Sequence, residues 1–212
     1  MEIIKPNVIL EVSTPDAEKV IEKAARTCYK SEDKITEDSH VNFIKNIMKS
    51  GHSSVLEHAS ATFRIITSRD ILQEIARHRI GSYSVESTRY VNYAKKNGLQ
   101  FIQPSWVNDE DIHNIYTHPL ASTALHIWYR QLEGIEDTYL SLINEGWKPQ
   151  QARSILPGCL KTEIVMTMNF RSWLNFLELR TSKAAHPDIR IIAEMIGKEL
   201  YKIAPTVFEE YK

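Results

Sequence analysis

Glycine is scarce in this chain, with 7 among 212 residues. Neither GxGxxG nor GxxxxGK[ST] occurs, which excludes the two glycine-rich loops that cradle phosphates with backbone N–H groups. A phosphorylated ligand would therefore be held largely by side chains. Cysteine is scarcer still. Cys28 and Cys159 are the only two, and they form neither a CxxC pair nor a zinc-type spacing. A chain this long can bury a core without disulfides. There is no excess of either charge: 26 Lys and Arg against 27 Asp and Glu leave a net charge of -1, which argues against a general nucleic-acid binder. No apolar run reaches the roughly 18 residues of a membrane span. The N-terminal MEIIKPNVILEV carries Glu2 and Lys5 and does not read as a signal peptide. These absences predict a cytoplasmic globular protein, with 1–212 as a single domain.

What is present is a mixture of strand and helix signals without strict alternation, which predicts an α+β fold. The expected architecture is a mostly antiparallel sheet flanked by helices. Strand composition marks 7–14, 58–67, 99–104 and 161–170, and 83–93 also reads as extended. Helical patterns cover 16–29, 171–182 and 187–203. The longest amphipathic helix is expected over 119–145, where Leu125, Trp128, Leu132, Ile135, Tyr139 and Leu142 recur at spacings of three and four. Thr36 reads as the N-cap of a helix carrying Val41, Ile44, Ile47 and Met48, which Gly51 ends. Ser68 reads as the cap of the next helix, and Pro149 suits the first turn of a short one that Pro157–Gly158 ends. Cys28 falls in a predicted helix and is expected in the core.

The most concentrated chemistry lies in RHRIGSYSVESTRY, residues 77–90. Basic residues at a helix C-terminus offset the macrodipole, for roughly 0.3–1 kcal/mol each, but that does not account for Ser87 and Arg89. Nor does it account for Arg153 before SILPG, Arg171 in MNFRSWLNF or Arg180 in LELRTS. Guanidinium forks match phosphate oxygens and carbonyl edges better than ammonium groups do. Several of them interleaved with Asn and Ser point to a phosphorylated, hydrogen-bonding ligand.

RHR followed by seven residues and a serine resembles the signature of flavin-dependent thymidylate synthases. Arg77, His78, Arg79 and Ser87 match it in full. GHSSVLEH (51–58), ARSILP (152–157) and MNFRSWLNFLELR (168–180) resemble three further blocks of that family, in the right order. The resemblance implies reductive methylation of deoxyuridine monophosphate (dUMP) to thymidine monophosphate (dTMP). Methylenetetrahydrofolate supplies the carbon, and flavin adenine dinucleotide (FAD), reduced by NADPH, supplies the hydride. It also implies a homotetramer with active sites at subunit interfaces. No metal is expected, because no third ligand follows His52 and His58 at a metal-site spacing.

Residue by residue, the resemblance places Ser54, Arg77, His78, Arg79, Asn169, Arg171 and Asn175 against the flavin, and His52 near the folate and flavin faces. It places Glu74, Arg77, Val85, Glu86, Ser87, Thr88, Arg89 and Arg153 in the nucleotide region, with backbone N–H groups of 85–89 as an anion nest. Arg180 is matched to the residue that meets the uracil ring and favours its ionisation at N3, so it carries the catalytic assignment. The chain departs from the family form in four places. Glu74 stands where Gln is common, and is expected to hold an arginine or contact the sugar. Val85 replaces a common Glu, the acid falling on Glu86. Thr88 follows the motif serine, where Gly or Gln is usual. The stretch from Arg180 to His186 is one residue longer.

Arg171 and Asn175 are four apart and share a helix face, whereas Arg180 is half a turn away from Arg171. A site using all three must wrap the helix or combine subunits. Neither cysteine is placed for thiolate addition to the pyrimidine, and Ser87, without an activating base, suits phosphate binding better than nucleophilic attack. Tyr83, Tyr90 and Tyr93 suit ligand stacking and strand packing equally. His113, His118 and His126 read as surface or partly packed. Two other readings use some of the same residues: a nucleotide- or flavin-binding module without catalysis, and a metal-dependent phosphohydrolase built on His52, Glu57 and His58.

Overall fold

The computed structural model describes residues 1–118 and 123–212. It resolves into two compact units. One comprises Met1–Pro6, Ile66–Gln73 and Val85–Glu163; the other comprises Asn7–Ile65, Glu74–Ser84 and Ile164–Lys212.

The elements run β1 (Glu2–Ile4), β2 (Asn7–Ser13), α1 (Ala17–Arg26), α2 (Ser39–Lys49), β3 (Ser60–Ser68), α3 (Arg69–Ile75), β4 (Ser82–Val85) and β5 (Gln100–Ile102). They continue with α4 (Asp109–Thr117), α5 (Ala124–Asn144), α6 (Pro149–Ala152), β6 (Lys161–Asn169), α7 (Phe170–Arg180) and α8 (Pro187–Ile203). Four strands form one sheet in the order β2-β3-β6-β4. Their partners run in opposite directions: Ala59 bonds Phe170 and Thr62 meets Thr167, while Thr14 bonds Ser60 and Arg64 pairs with Glu11. The expected antiparallel sheet with helices is therefore present. β1 and β5 form a separate parallel pair.

β3 and β6 alternate buried and half-exposed residues at period two. Phe63 meets Trp173 edge-on at 5.1 Å, and the Trp173 indole N–H donates to the Ala61 carbonyl at 3.1 Å. This pins α7 on the sheet by a large aromatic whose single polar atom is satisfied. α8 buries Ile189, Ile192, Ile196 and Leu200 as one stripe. In the first unit Tyr93, Leu99, Phe101, Leu132, Tyr139, Ala152 and Leu160 form a cluster, with α5 supplying two of them.

Several local expectations need correction. α2 starts after Asp38 rather than Thr36, because the Ser39 hydroxyl already accepts the Thr36 N–H. The Ser68 hydroxyl bonds the Asp70 carboxylate, and that carboxylate, not Ser68, takes the Ile71 N–H. The extended reading of 83–93 holds only to Val85. Beyond it the Ser87 carbonyl accepts the N–H groups of Tyr90 and Val91, which turns the chain. α5 begins at Ala124, with Thr123 as its N-cap, and residues 119–122 of the predicted helix lie outside the described residues. Cys28 is exposed because α1 ends at Arg26 and the chain tightens into a 3₁₀ turn over Thr27–Tyr29. β1 and α4 had no counterpart in the sequence reading. α4 opens on a reciprocal Asn108–Asp111 capping box, a signal legible in NDED.

Candidate active site

α3 ends at Ile75 and the chain leaves it in a tight turn, with Arg77 N–H bonded to the Glu74 carbonyl and His78 N–H to the Ile75 carbonyl. The Tyr83 hydroxyl, on β4, donates to the His78 carbonyl and fixes that turn from the other side. Gly81 lies flat on β6: a Cβ there would come 2.8 Å from the Met168 side chain and 3.3 Å from the Thr167 carbonyl. The cationic loop is thus held close to the end of β6, where Asn169 caps α7 by accepting the Ser172 N–H at 2.8 Å.

These elements enclose a cleft of about 740 Å³ lined by the side chains of Arg77–Ile80 and Met168–Asn169 and by α7. α7 contributes Arg171, Ser172, Asn175, Leu179 and Arg180, and Glu57 closes one edge. The volume is in the range of small-molecule sites. Arg171 and Arg180 therefore line one cleft although they point half a turn apart. The cleft follows the helix surface between these two directions. Among the described residues, Arg77 and Arg79 are exposed and have no carboxylate partner. Arg171 pairs with Glu57 at 2.6 Å, and Arg180 with Glu74 at 2.9 Å. Two guanidinium charges thus stand uncompensated at the mouth, an arrangement that attracts anions. Exposed Ile80 and Leu179 add an apolar rim that suits a planar ring.

Arg180 is the most constrained of these groups. Its Nη1 donates to Glu74 Oε2, its Nη2 to the Glu74 carbonyl and its Nε to His78 Nε2, each at 2.9 Å. Glu74 holds an arginine, as its departure from the family form suggests. His78 packs edge-on against Phe176 at 4.8 Å. Burial, reinforced by the Arg180 charge, lowers its pKa to about 4. The middle member of the basic triplet is therefore neutral at neutral pH, which the sequence does not reveal.

In the first unit the nucleotide-matched residues Glu86, Ser87, Thr88, Arg89 and Arg153 belong to a second set of polar contacts, whereas Glu74 and Arg77 lie in the other unit. Ser87 Oγ accepts the Arg89 N–H at 3.3 Å, and Arg153 Nη1 approaches the buried Thr88 hydroxyl at 3.4 Å. The Glu86 carboxylate is already engaged, by Lys161 at 3.0 Å and by the Tyr93 hydroxyl at 2.8 Å. Lys161 also meets Glu163 at 2.5 Å. Burial would lower the Lys161 pKa, but the bonds to Glu163 and Glu86 outweigh it and raise it. Arg89 lies over the exposed Tyr90 ring, 5.5 Å from its centroid.

The comparisons with known proteins bear on this arrangement as a whole. Residues 9–206 match the family described as thymidylate synthase complementing protein. This chain belongs to the flavin-dependent thymidylate synthase family. It is 33% identical over 204 residues to the flavin-dependent thymidylate synthase of Geobacter sulfurreducens, covering 93% of this chain and 83% of that one. It is 33% identical over 215 residues to that of Mycobacterium tuberculosis, covering 98% and 84%. Among solved structures it resembles a UMP/dUMP methylase from Streptomyces cacaoi bound with 5-Br dUMP, with a TM-score of 0.80 and 26% identity over 99% of this chain and 96% of that one. It also resembles thymidylate synthase X from Helicobacter pylori with FAD and dUMP, with a TM-score of 0.77 and 26% identity over 97% and 98%.

The family signature is thus divided between the units. Arg77, His78, Arg79, Asn169, Arg171, Asn175 and Arg180 gather on the cleft, and Val85–Arg89 with Arg153 form the second cluster. Ser54 and His52 are exposed and do not line the cleft. Sequence reasoning missed Lys161, whose pairing with Glu86 and Glu163 depends on β-strand register. It also offered Glu57 only as a metal ligand, whereas here Glu57 pairs with Arg171. The Cys159 thiol is pushed up to about 11, by burial and then by the Asp70 charge, so it holds almost no thiolate at neutral pH.

Proposed function

We propose that this protein methylates dUMP to dTMP, with methylenetetrahydrofolate as carbon donor and FAD, reduced by NADPH, as hydride donor. The observation that carries this reading is the gathering of four arginines and two asparagines on one cleft, in a chain belonging to the flavin-dependent thymidylate synthase family. The donor set fits a dinucleotide flavin. Arg77 and Arg79 offer uncompensated charge for phosphate, Asn175 and the free amide N–H₂ of Asn169 offer hydrogen bonds, and Ile80 and Leu179 offer apolar surface for a ring. When bound, the flavin supplies reducing chemistry that no side chain here possesses.

The chain's own residues bind and polarise. Arg77, His78, Arg79, Asn169, Arg171 and Asn175 would hold the cofactor in this cleft. Ser54 and His52 lie outside its lining, and their flavin and folate roles rest on the family resemblance alone. Ser87, Arg89, Thr88 and Arg153, with Arg77, grip the nucleotide phosphate and sugar. Of the expected 85–89 nest, the Glu86 N–H already donates to the Glu163 carbonyl and the Arg89 N–H to Ser87 Oγ, which leaves the Ser87 and Thr88 backbone to meet the phosphate. Glu74 and Glu86 contribute by holding Arg180 and Lys161 in place, and Val85 by its backbone. Arg180 lies against the O2–N3 edge of uracil, where its positive charge favours loss of the N3 proton and enriches C5 in electron density. The Cys159 thiol, half-buried and with its pKa pushed up to about 11, makes a thiolate adduct the weaker route.

The two units act as one functional domain, and four copies assemble with sites at their interfaces. No described helix is long and apolar enough to cross a membrane, which accords with a cytoplasmic enzyme. The reading is tested by incubating the purified protein with FAD, NADPH, methylenetetrahydrofolate and dUMP. dTMP formation that requires all four is expected, and turnover without flavin would overturn it. Sedimentation is expected to give a species near four times the 24.5 kDa chain, and a monomer fully active at assay concentration would refute the interface sites.

A further inference from the structure

His78 is neutral, and its partner decides which nitrogen keeps the proton. Arg180 Nε can only donate, and it donates to His78 Nε2 at 2.9 Å. A neutral ring accepting there must carry its hydrogen on Nδ1. Arg180 is itself held by Glu74, through the carboxylate on Nη1 and the backbone carbonyl on Nη2. No acceptor among the described residues takes the Nδ1 proton, and His78 lines the cleft. Three of the five guanidinium N–H groups of Arg180 are committed in this way, leaving one on each terminal nitrogen.

We propose that Glu74 and Arg180 are positioning residues for His78, fixing it as the Nδ1–H tautomer so that it gives the bound flavin one neutral hydrogen bond between two cationic neighbours. The triplet then divides its labour. Arg77 and Arg79 attract phosphate by charge, whereas His78 recognises an uncharged acceptor atom. A protonated ring could not accept from Arg180 and would place two cations in contact. Neutrality is therefore part of the arrangement, and the burial that keeps His78 uncharged serves it.

This inference rests on the flavin reading, and the experiment separates the two. The full-length, ligand-free protein is labelled with ¹⁵N-histidine, and His78 is assigned by the signals lost in His78→Gln. Long-range ¹H–¹⁵N spectra at neutral pH are expected to show Nδ1 protonated and Nε2 bare. The ring should remain neutral at about pH 5.5, where an ordinary histidine is mostly protonated. Glu74→Ala is expected to lose this signature to averaged tautomers, and Glu74→Gln to restore it, because its amide oxygen also accepts from Nη1. Adding FAD should shift the Nδ1 resonance. An Nε2–H tautomer, an imidazolium at neutral pH, an unchanged signature in folded Glu74→Ala, or an Nδ1 resonance unmoved by flavin that absorption shows to be bound would each overturn the proposal. If Glu74→Ala does not fold, the wild-type spectrum alone decides the tautomer. Absence of flavin binding would instead refute the functional reading and leave the tautomer result standing.

Discussion

At the scale of single residues, Arg180 and Cys159 mark the two routes by which a pyrimidine could be made reactive at C5. Arg180 carries a fixed charge and is held by three hydrogen bonds. Removing it should abolish methylation, while flavin stays bound through Arg77, Arg79 and Arg171 but more weakly, since His78 loses the partner that orients it. Full turnover by Arg180→Ala, measured as dTMP formed, would remove the catalytic assignment. Cys159 has a thiol pushed up to about 11, so at pH 7 only about one part in ten thousand is thiolate. Cys159→Ala should keep most of the activity, and a folded but inactive variant would reinstate thiol chemistry. The guanidinium cluster was legible in the sequence because basic residues in a fixed spacing need no tertiary information to be noticed. The neutrality of His78 was not, since it follows from Phe176 and Arg180, which are 98 and 102 residues away along the chain.

At the scale of elements, the cationic loop is placed by its approach to β6. Gly81→Ala would press a methyl group against Met168 and the Thr167 carbonyl. Met168 can yield but the strand backbone cannot, so the variant should lose about 1–3 kcal/mol of stability and bind flavin more weakly. An unchanged melting temperature with unchanged affinity would show that the loop does not depend on this contact. Lys161 plays the corresponding part for the turn after β4. Lys161→Met removes the ammonium that bonds both Glu86 and Glu163, and should cost about 1–3 kcal/mol and weaken nucleotide binding. The sign of the pH effect follows from the raised pKa of Lys161. The stabilisation is complete below the ordinary lysine value of about 10.4 and is lost as pH rises through the higher folded value. Urea titrations of wild type and variant should therefore show a gap that is full at pH 7 and narrows as pH rises above the ordinary lysine range, and a gap that stays constant through that rise would contradict the ion-pair account.

Elements were legible where one period ran uninterrupted. β6 with its strict alternation and α8 with its apolar stripe lie where the pattern puts them. Residues 86–92 misled because Tyr and Val suggest a strand, while the Ser87 carbonyl collects two N–H groups and bends the chain. α4 was overlooked because its short apolar pattern is weak, although its cap is explicit.

At the scale of the molecule, family membership and fold agree with the sequence reading, and the individual contacts are what the structure adds. It turns a set of motifs into a cleft with two uncompensated charges, a clamped Arg180 and a neutral donor. It also shows Glu57 and Glu74 engaged by arginines, so the site's acids act as struts. The account depends above all on this cleft holding a flavin. The most direct measurement is the absorption spectrum of the purified protein titrated with FAD, for wild type and for Arg79→Ala. Saturable binding with a perturbed flavin band, weakened about tenfold or more when the Arg79 charge is removed, is the predicted result. A wild-type protein that leaves the FAD spectrum unaltered at any concentration, or an Arg79 variant that binds as tightly as wild type, would contradict it.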